Sequence, residues 1–245
     1  MKKLSAAAAL LTASAVTCAP VYAADTTVTG YGQGTSVDGE NRPEGALQFN
    51  SRYAGVDAFA LSEDRSRIII TFDQGYENGY TAGILDTLAA KGVKAIFFLT
   101  GDYARREQEL VRRMIDEGHM IGNHGMTHAS LPKLSEEAAK EEIMSLHEYV
   151  LDNYGYEMQY FRCPCGEYSE RALELVRECG YKTLFWSSAY VDWKTDAQPS
   201  PSESLAKLSA SAHGGEILLL HSVSETNAHI LGELIDSFRD KGFKV

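Results

Sequence analysis

Beyond residue 23 the 245-residue chain has no apolar run long enough to span a bilayer, and it is short of positive charge and of cysteine. Each shortage narrows its function. Lys and Arg total 23 against 34 Asp and Glu, a formal charge of −11. A surface of that sign repels phosphate backbones and anionic headgroups, so nucleic acid and membrane surfaces are not expected partners. No internal repeat is visible. Four cysteines, one of them at position 18, leave little material for a disulfide framework.

The one apolar stretch lies at the start. Lys2 and Lys3 precede Ala6 to Val16, and Val21-Tyr-Ala23 has the small-residue pattern of a cleavage site. Residues 1–23 are read as a secretory signal peptide, too short in its apolar part to cross a membrane. A competing reading makes Cys18 a lipidated N-terminus, although Ala15-Val-Thr17 fits such a site poorly. Cleavage after Ala23 removes two lysines and no acid and takes the charge to −13, leaving 222 residues, enough for one core.

Residues 24 to about 45 are rich in Gly, Thr, Ser and Asp, and 24–66 are read as an extended lead-in. From Arg67 to the end, strand-like and helix-like segments alternate. Strands are expected at 67–73, 94–100, 119–124, 159–163, 181–187 and 216–221, with Phe243-Lys-Val245 as a short seventh. Helices are expected at 79–91, 105–117, 135–154, 169–179, 200–212 and 227–241, closed by glycines such as Gly92 and Gly155 and opened by Ser135 and Ser169. This regularity predicts an α/β fold, a distorted (β/α) barrel of about seven parallel strands over 67–245.

On that frame the polar residues converge. Asp73, His124, Arg162, Trp186 and His221 each lie at or just beyond the carboxyl end of a predicted strand, and in such a barrel those ends form one mouth. His124-Gly-Met-Thr-His128 can close two imidazoles on one metal ion, and the run ending in Asp73 delivers a bare carboxylate beside it. Together they point to metal-assisted hydrolysis. His119, His147, His213 and His229 are read as structural or surface residues.

Five ordered motifs carry a family resemblance. Thr71-Phe-Asp-Gln-Gly75, His124 to His128, Arg162-Cys-Pro-Cys-Gly166, Trp186 through Asp192-Trp193, and Leu218-Leu-Leu-His221 resemble the motifs of the polysaccharide deacetylases, the NodB-homology domain of carbohydrate esterase family 4. Phe72 to Thr81, Phe185 to Trp193 and His221 to Ala228 are further similar to the branch that de-N-acetylates muramic acid in peptidoglycan and prepares the muramic δ-lactam of spore cortex.

The resemblance implies roles. His124 and His128 would be metal ligands, for Zn²⁺ or another divalent ion such as Co²⁺, Mn²⁺ or Ni²⁺. Asp73 would be the general base, Arg162 its ionic partner, His221 the general acid and Asp192 the carboxylate that orients it. The backbone N–H of Cys165 would face the oxyanion, and Trp186 and Trp193 would build groove wall and core. Most of the family has an Asp as third metal ligand where this chain has Gln74, and the muramic branch varies there. A neutral amide oxygen would be the weaker ligand.

The expected protein is therefore a secreted monomer at the cell wall that removes acetyl groups from peptidoglycan strands. Two alternatives stand beside it: a deacetylase of N-acetylglucosamine, chitin-like or xylan substrates, and an inactive glycan-binding module. Three free thiols are expected after cleavage. Cys163 and Cys165 would sit at the mouth, while the helix ending at Cys179 carries that residue about 15 Å toward the far end, beyond the roughly 7 Å that a disulfide allows. Cys179 is expected to be buried and Cys165 the most reactive.

Overall fold

The computed structural model describes residues 24–245; the expected signal peptide and Cys18 lie outside the described residues. The chain enters through β1 (Thr29–Gly30), α1 (Glu44–Tyr53) and β2 (Ala58–Phe59). Strands and helices then alternate. β3 (Ile69–Gln74), α2 (Thr81–Lys91), β4 (Ile96–Leu99), α3 (Gly101–Arg106), α4 (Gln108–Asp116) and β5 (Met120–Asn123) come first. α5 (Glu136–Tyr154), β6 (Tyr160–Phe161), β7 (Glu167–Tyr168), α6 (Glu170–Glu178), β8 (Lys182–Leu184), α7 (Pro201–Ser211), β9 (Ile217–His221) and α8 (Glu225–Asp240) complete the chain.

Seven strands form one parallel sheet in the order β2-β8-β6-β5-β4-β3-β9. Helices cover its outer face, so the strands are apolar on both sides: Ile70, Phe72, Phe97, Phe98, Leu218 and Leu220 are all buried. The sheet curls into a barrel. Beyond β8 the chain crosses to β9, where Ser187 N donates to Ile217 O at 2.9 Å and Leu219 N to Ser188 O at 2.9 Å. Ser135 and Ser169 accept from Ala138 N and Ala172 N and start α5 and α6, while left-handed Gly92 and Gly155 close α2 and α5.

Three expectations change. The seventh strand is β2, drawn from the lead-in, and Phe243-Lys-Val245 makes a single bridge, Lys244 with Arg67. The lead-in is extended only in part. Polar composition dominates up to about residue 45, but Ala46, Phe49, Tyr53, Ala58, Ala60 and Leu61 bury themselves, which makes α1 a packed helix. The helix expected at 105–117 is two helices, broken at Glu107, whose φ of −107° and ψ of 44° leave the helical region.

Candidate active site

Asp73 and His221 are register partners on neighbouring β3 and β9, so their side chains rise from the same face at the carboxyl ends of both strands. Arg162, just after β6, is fully buried and reaches across to them. Its Nη1 donates to Asp73 Oδ1 at 2.8 Å and to Thr71 Oγ1 at 2.9 Å. Nε and Nη2 donate to Leu184 O and Phe185 O, and the guanidinium stacks 4.2 Å from the Phe98 ring centre. Every arm of the guanidinium is engaged, so the charge is fixed in place. Burial works against ionisation of Asp73, but Arg162, with His124 and His221, holds its carboxyl below the usual range.

His124 and His128 share the loop after β5. The His124 Nδ1–H donates to Arg162 O at 2.8 Å, which leaves the Nε2 lone pair directed at Asp73 Oδ2, 3.5 Å away. Burial pushes the His124 imidazole down to about 4 and lowers that of His128, so both are neutral near pH 7. The loop is built for this pose. Gly125 has φ +82°, and a Cβ there would lie 2.7 Å from Glu142 Oε1. The buried Glu142 carboxylate accepts from Thr127 N at 2.7 Å, Thr127 Oγ1 at 2.9 Å and Ala129 N at 3.1 Å, and His128 between them takes a left-handed φ of 63°.

On the other side stands a second acid–imidazole pair. Asp192 is fully buried and accepts from His221 Nδ1 at 2.7 Å, His221 N at 2.8 Å and Asn227 Nδ2 at 2.6 Å. Asn227 is itself oriented by the hydroxyl of Tyr190. Burial opposes the charged form of His221, yet the bond to Asp192 and its charge outweigh this and raise the imidazole above its ordinary value. With Nδ1–H committed to Asp192, Nε2 is left for the groove.

These groups line one groove of about 920 Å³, walled by Tyr31, Gln33, Trp186, Tyr190 and Trp193. Asp73, His124, His128, Cys165, Trp186 and His221 all border it. Arg162 and Asp192 stand behind as buried supports. Cys165 is exposed and holds a left-handed φ of 58° in the turn after Pro164. The three cysteines are free, as expected, but burial falls on Cys163, whose thiol is pushed up to about 12, while Cys179 is only half-buried. Among the described residues no helix is long and apolar enough to cross a membrane.

Gln74 departs from its expected place. It pairs across the strands with Ser222, to which its amide donates at 2.6 Å, and it is not among the residues that line the groove. Side chains alternate along a strand, so 74 and 222 take the face opposite to 73 and 221. Among the described residues no group of three or more His, Cys, Asp or Glu is set to hold an ion. The donor set that does fit a divalent ion is the imidazole pair, whose ring centres lie 4.8 Å apart. The facing lone pairs of His124 Nε2 and Asp73 Oδ2 favour a cation or proton near them.

Asn227, Tyr190 and Glu142 are parts of this site that the sequence reading misses. Asn227 and Tyr190 have a signal, since they lie in the His221–Ala228 and Phe185–Trp193 stretches that carry the closer resemblance. Glu142 sits in an acidic run that reads as a solvated helix face, and only its burial separates it from its neighbours.

Comparison with known proteins agrees with the geometry. Residues 61–184 match the polysaccharide deacetylase family model. The peptidoglycan-N-acetylmuramic acid deacetylase PdaA of Bacillus subtilis is 38% identical over 203 residues, 82% of this chain and 77% of that protein. A peptidoglycan-N-acetylglucosamine deacetylase of Bacillus cereus is 30% identical over 189 residues, 76% of this chain and 68% of the relative. The solved structure of Bacillus subtilis PdaA, a family 4 carbohydrate esterase, superposes with a TM-score of 0.84 at 36% identity, covering 90% of this chain and 94% of that one. A family 4 carbohydrate esterase from Bacillus anthracis gives 0.75 at 36% identity, covering 91% and 95%. The chain belongs to the polysaccharide deacetylases, carbohydrate esterase family 4, as a barrel hydrolase.

Proposed function

We propose that the protein is an exported peptidoglycan deacetylase that removes the acetyl group from N-acetylmuramic acid, the step that precedes muramic δ-lactam formation. The observation that carries the reading is two acid–base units side by side at one groove: Asp73 paired with the Arg162 guanidinium, and His221 paired with the buried Asp192 carboxylate. Glycan binding alone has no use for such a pair. The similarity to a muramic acid deacetylase favours that sugar over N-acetylglucosamine, at 38% against 30% identity. The leader sequence supports export.

In this mechanism the amide carbonyl enters between the two units. Asp73 accepts the proton of the attacking water, and Arg162 keeps the carboxylate in its charged form and fixed in direction. The Cys165 N–H, presented by its left-handed turn, donates to the oxygen as charge builds there. His221 Nε2 then delivers a proton to the departing amine while Asp192 stabilises the imidazolium. His124 and His128 would hold a divalent ion, which supplies Lewis-acid polarisation and lowers the pKa of water. Two protein ligands hold it more loosely than three would.

Acetate release from glycan strands, with and without stem peptides, tests the reading. The wild-type protein should release acetate from muramic residues, faster when zinc or cobalt is added after chelation. Asp73→Asn should lose about 10²–10⁴ in kcat. His124→Ala should lose the response to added metal as well. Acetate release by Asp73→Asn at the wild-type rate, or from glucosamine residues alone, would overturn the respective assignment.

A further inference from the structure

The groove has a wall that comes from outside the region matching the family model, which begins at residue 61. Residues 29–33 run along it as a strap. β1 pairs antiparallel with β7, and Tyr31 N donates to Gly166 O at 2.8 Å, next to the Cys165 turn. The Tyr31 ring is wedged among Phe49, Phe185 and Trp186 at 4.5–5.2 Å between ring centres, and its hydroxyl donates to Trp186 O at 2.5 Å. On the far side, α1 is cut away to receive the strap: a Cβ on Gly45 would meet the Gln33 carbonyl oxygen at 2.6 Å. The strap is locked from both sides and is no loose tail.

Gln33 is the polar group that this strap brings to the groove. Its Oε1 accepts from the Trp186 indole N–H at 2.9 Å, which fixes which end of the amide is which. The oxygen is engaged by protein, and the NH₂ end is left as a donor pair at the edge of the indole. An amide donor next to an indole suits a sugar hydroxyl or acetamido oxygen, with the ring stacked on the aromatic. Gln33 is bonded to the indole Nε1, whose ring centre is 5.9 Å from the Arg162 guanidinium, and it hydrogen-bonds to neither Arg162 nor Asp73, so it borders the groove apart from the reacting pair.

We propose that the Tyr31–Gln33 strap forms a subsite for the sugar residue next to the one that reacts, with the Gln33 amide as its hydrogen-bond donor. The protein thereby selects glycan chains over single sugars. The inference rests on the glycan reading of the groove, but not on the reaction performed there.

Binding measured by tryptophan emission tests it without relying on turnover. The probes are a stem-free tetrasaccharide of alternating N-acetylglucosamine and N-acetylmuramic acid, and free N-acetylmuramic acid. All proteins carry Asp73→Asn so that the probe is not consumed. With Gln33 intact the tetrasaccharide should bind at least about tenfold tighter than the monosaccharide. Gln33→Met should weaken the tetrasaccharide about three- to tenfold, the worth of one hydrogen bond, and leave the monosaccharide unchanged. Gln33→Glu, which keeps the acceptor for the indole and so the seat of the strap, should lose tetrasaccharide affinity likewise.

Equal tetrasaccharide affinity with Gln33 intact and after Gln33→Met would overturn the proposal. So would equal weakening of both probes by Gln33→Met, which would make the strap a structural support only. Failure of the deacetylase reading appears separately, as no acetate released by the protein with Asp73 restored.

Discussion

Strand β9 has a carboxylate and an imidazole near each of its ends, and the two pairs are built differently. At the carboxyl end Asp192 receives three donors, two from His221 and one from Asn227, and the imidazole it holds is raised. Just before the first residue of the strand, Glu216 accepts from His213 N at 3.2 Å, and its Oε1 has no partner. Burial pushes that carboxyl up to about 8. Its neighbour His213 spends Nδ1–H on Ser211 O and accepts from the Ser187 hydroxyl through Nε2; burial lowers it, and it is neutral. Both carboxylates are fully buried, and they differ in the donors they receive, three against one. Of these four residues His221 alone borders the groove.

The largest test of this contrast removes one imidazole from each pair. His221→Gln should cost about 10²–10⁴ in kcat, as loss of a general acid does, with the fold intact by circular dichroism. His213→Asn should leave kcat within about twofold and lower the melting temperature instead, since it breaks a buried structural bond. Similar kinetic losses in both variants would erase the distinction.

A subtler change weakens the first pair without removing it. Asp192 raises His221, so the protonated acid persists above the ordinary imidazole range, and activity should fall only on the alkaline side of it. Asp192→Asn removes the charge that outweighs burial. The alkaline limb of the kcat profile should therefore move to lower pH, with a smaller maximum. A limb that stays in place would show that another group sets it.

The smallest effect concerns the second pair. The folded-state pKa of Glu216 lies above the unfolded value of about 4.5, so folding favours its neutral form. The sign follows: this contribution to stability is complete below about pH 4.5 and is lost as pH rises toward 8. Glu216→Gln should then match the wild-type melting temperature at pH 4.5 and exceed it by about a few degrees at pH 8. A constant difference across that range would mean that the carboxyl is not neutral in the folded protein.

Much of this is open to a reader of the sequence because it is local. The Ile-rich run into Asp73 and the Leu run into His221 declare two buried strands and their carboxyl ends within a few residues. The His124–His128 spacing places two imidazoles on one loop. What stays hidden depends on partners far along the chain. β2 is two residues long, too short for any periodicity, and is a strand only because β8 pairs with it. Gln74 is a ligand position only by the family resemblance, yet strand alternation turns it to the face opposite Asp73, where its amide donates to Ser222 just after β9. Asn227 and Tyr190 serve the site through Asp192, a contact across 35 positions in the case of Asn227.

The late closure of the barrel has a kinetic consequence. Ala58 and Phe59 are among the early residues of the sheet, and their partners are Thr183 and Leu184; the final seam joins Ser188 to Leu218. A nascent chain emerging from its N-terminus therefore presents β2 long before anything can pair with it. Such distant pairings are slow to form, because chain entropy must be lost before the contact is gained. Until then the flank of β8 is an open edge, available to a second copy of the same strand. A protein assembled this way gains from being kept unfolded until the whole chain is present, and its refolding yield should fall steeply with concentration.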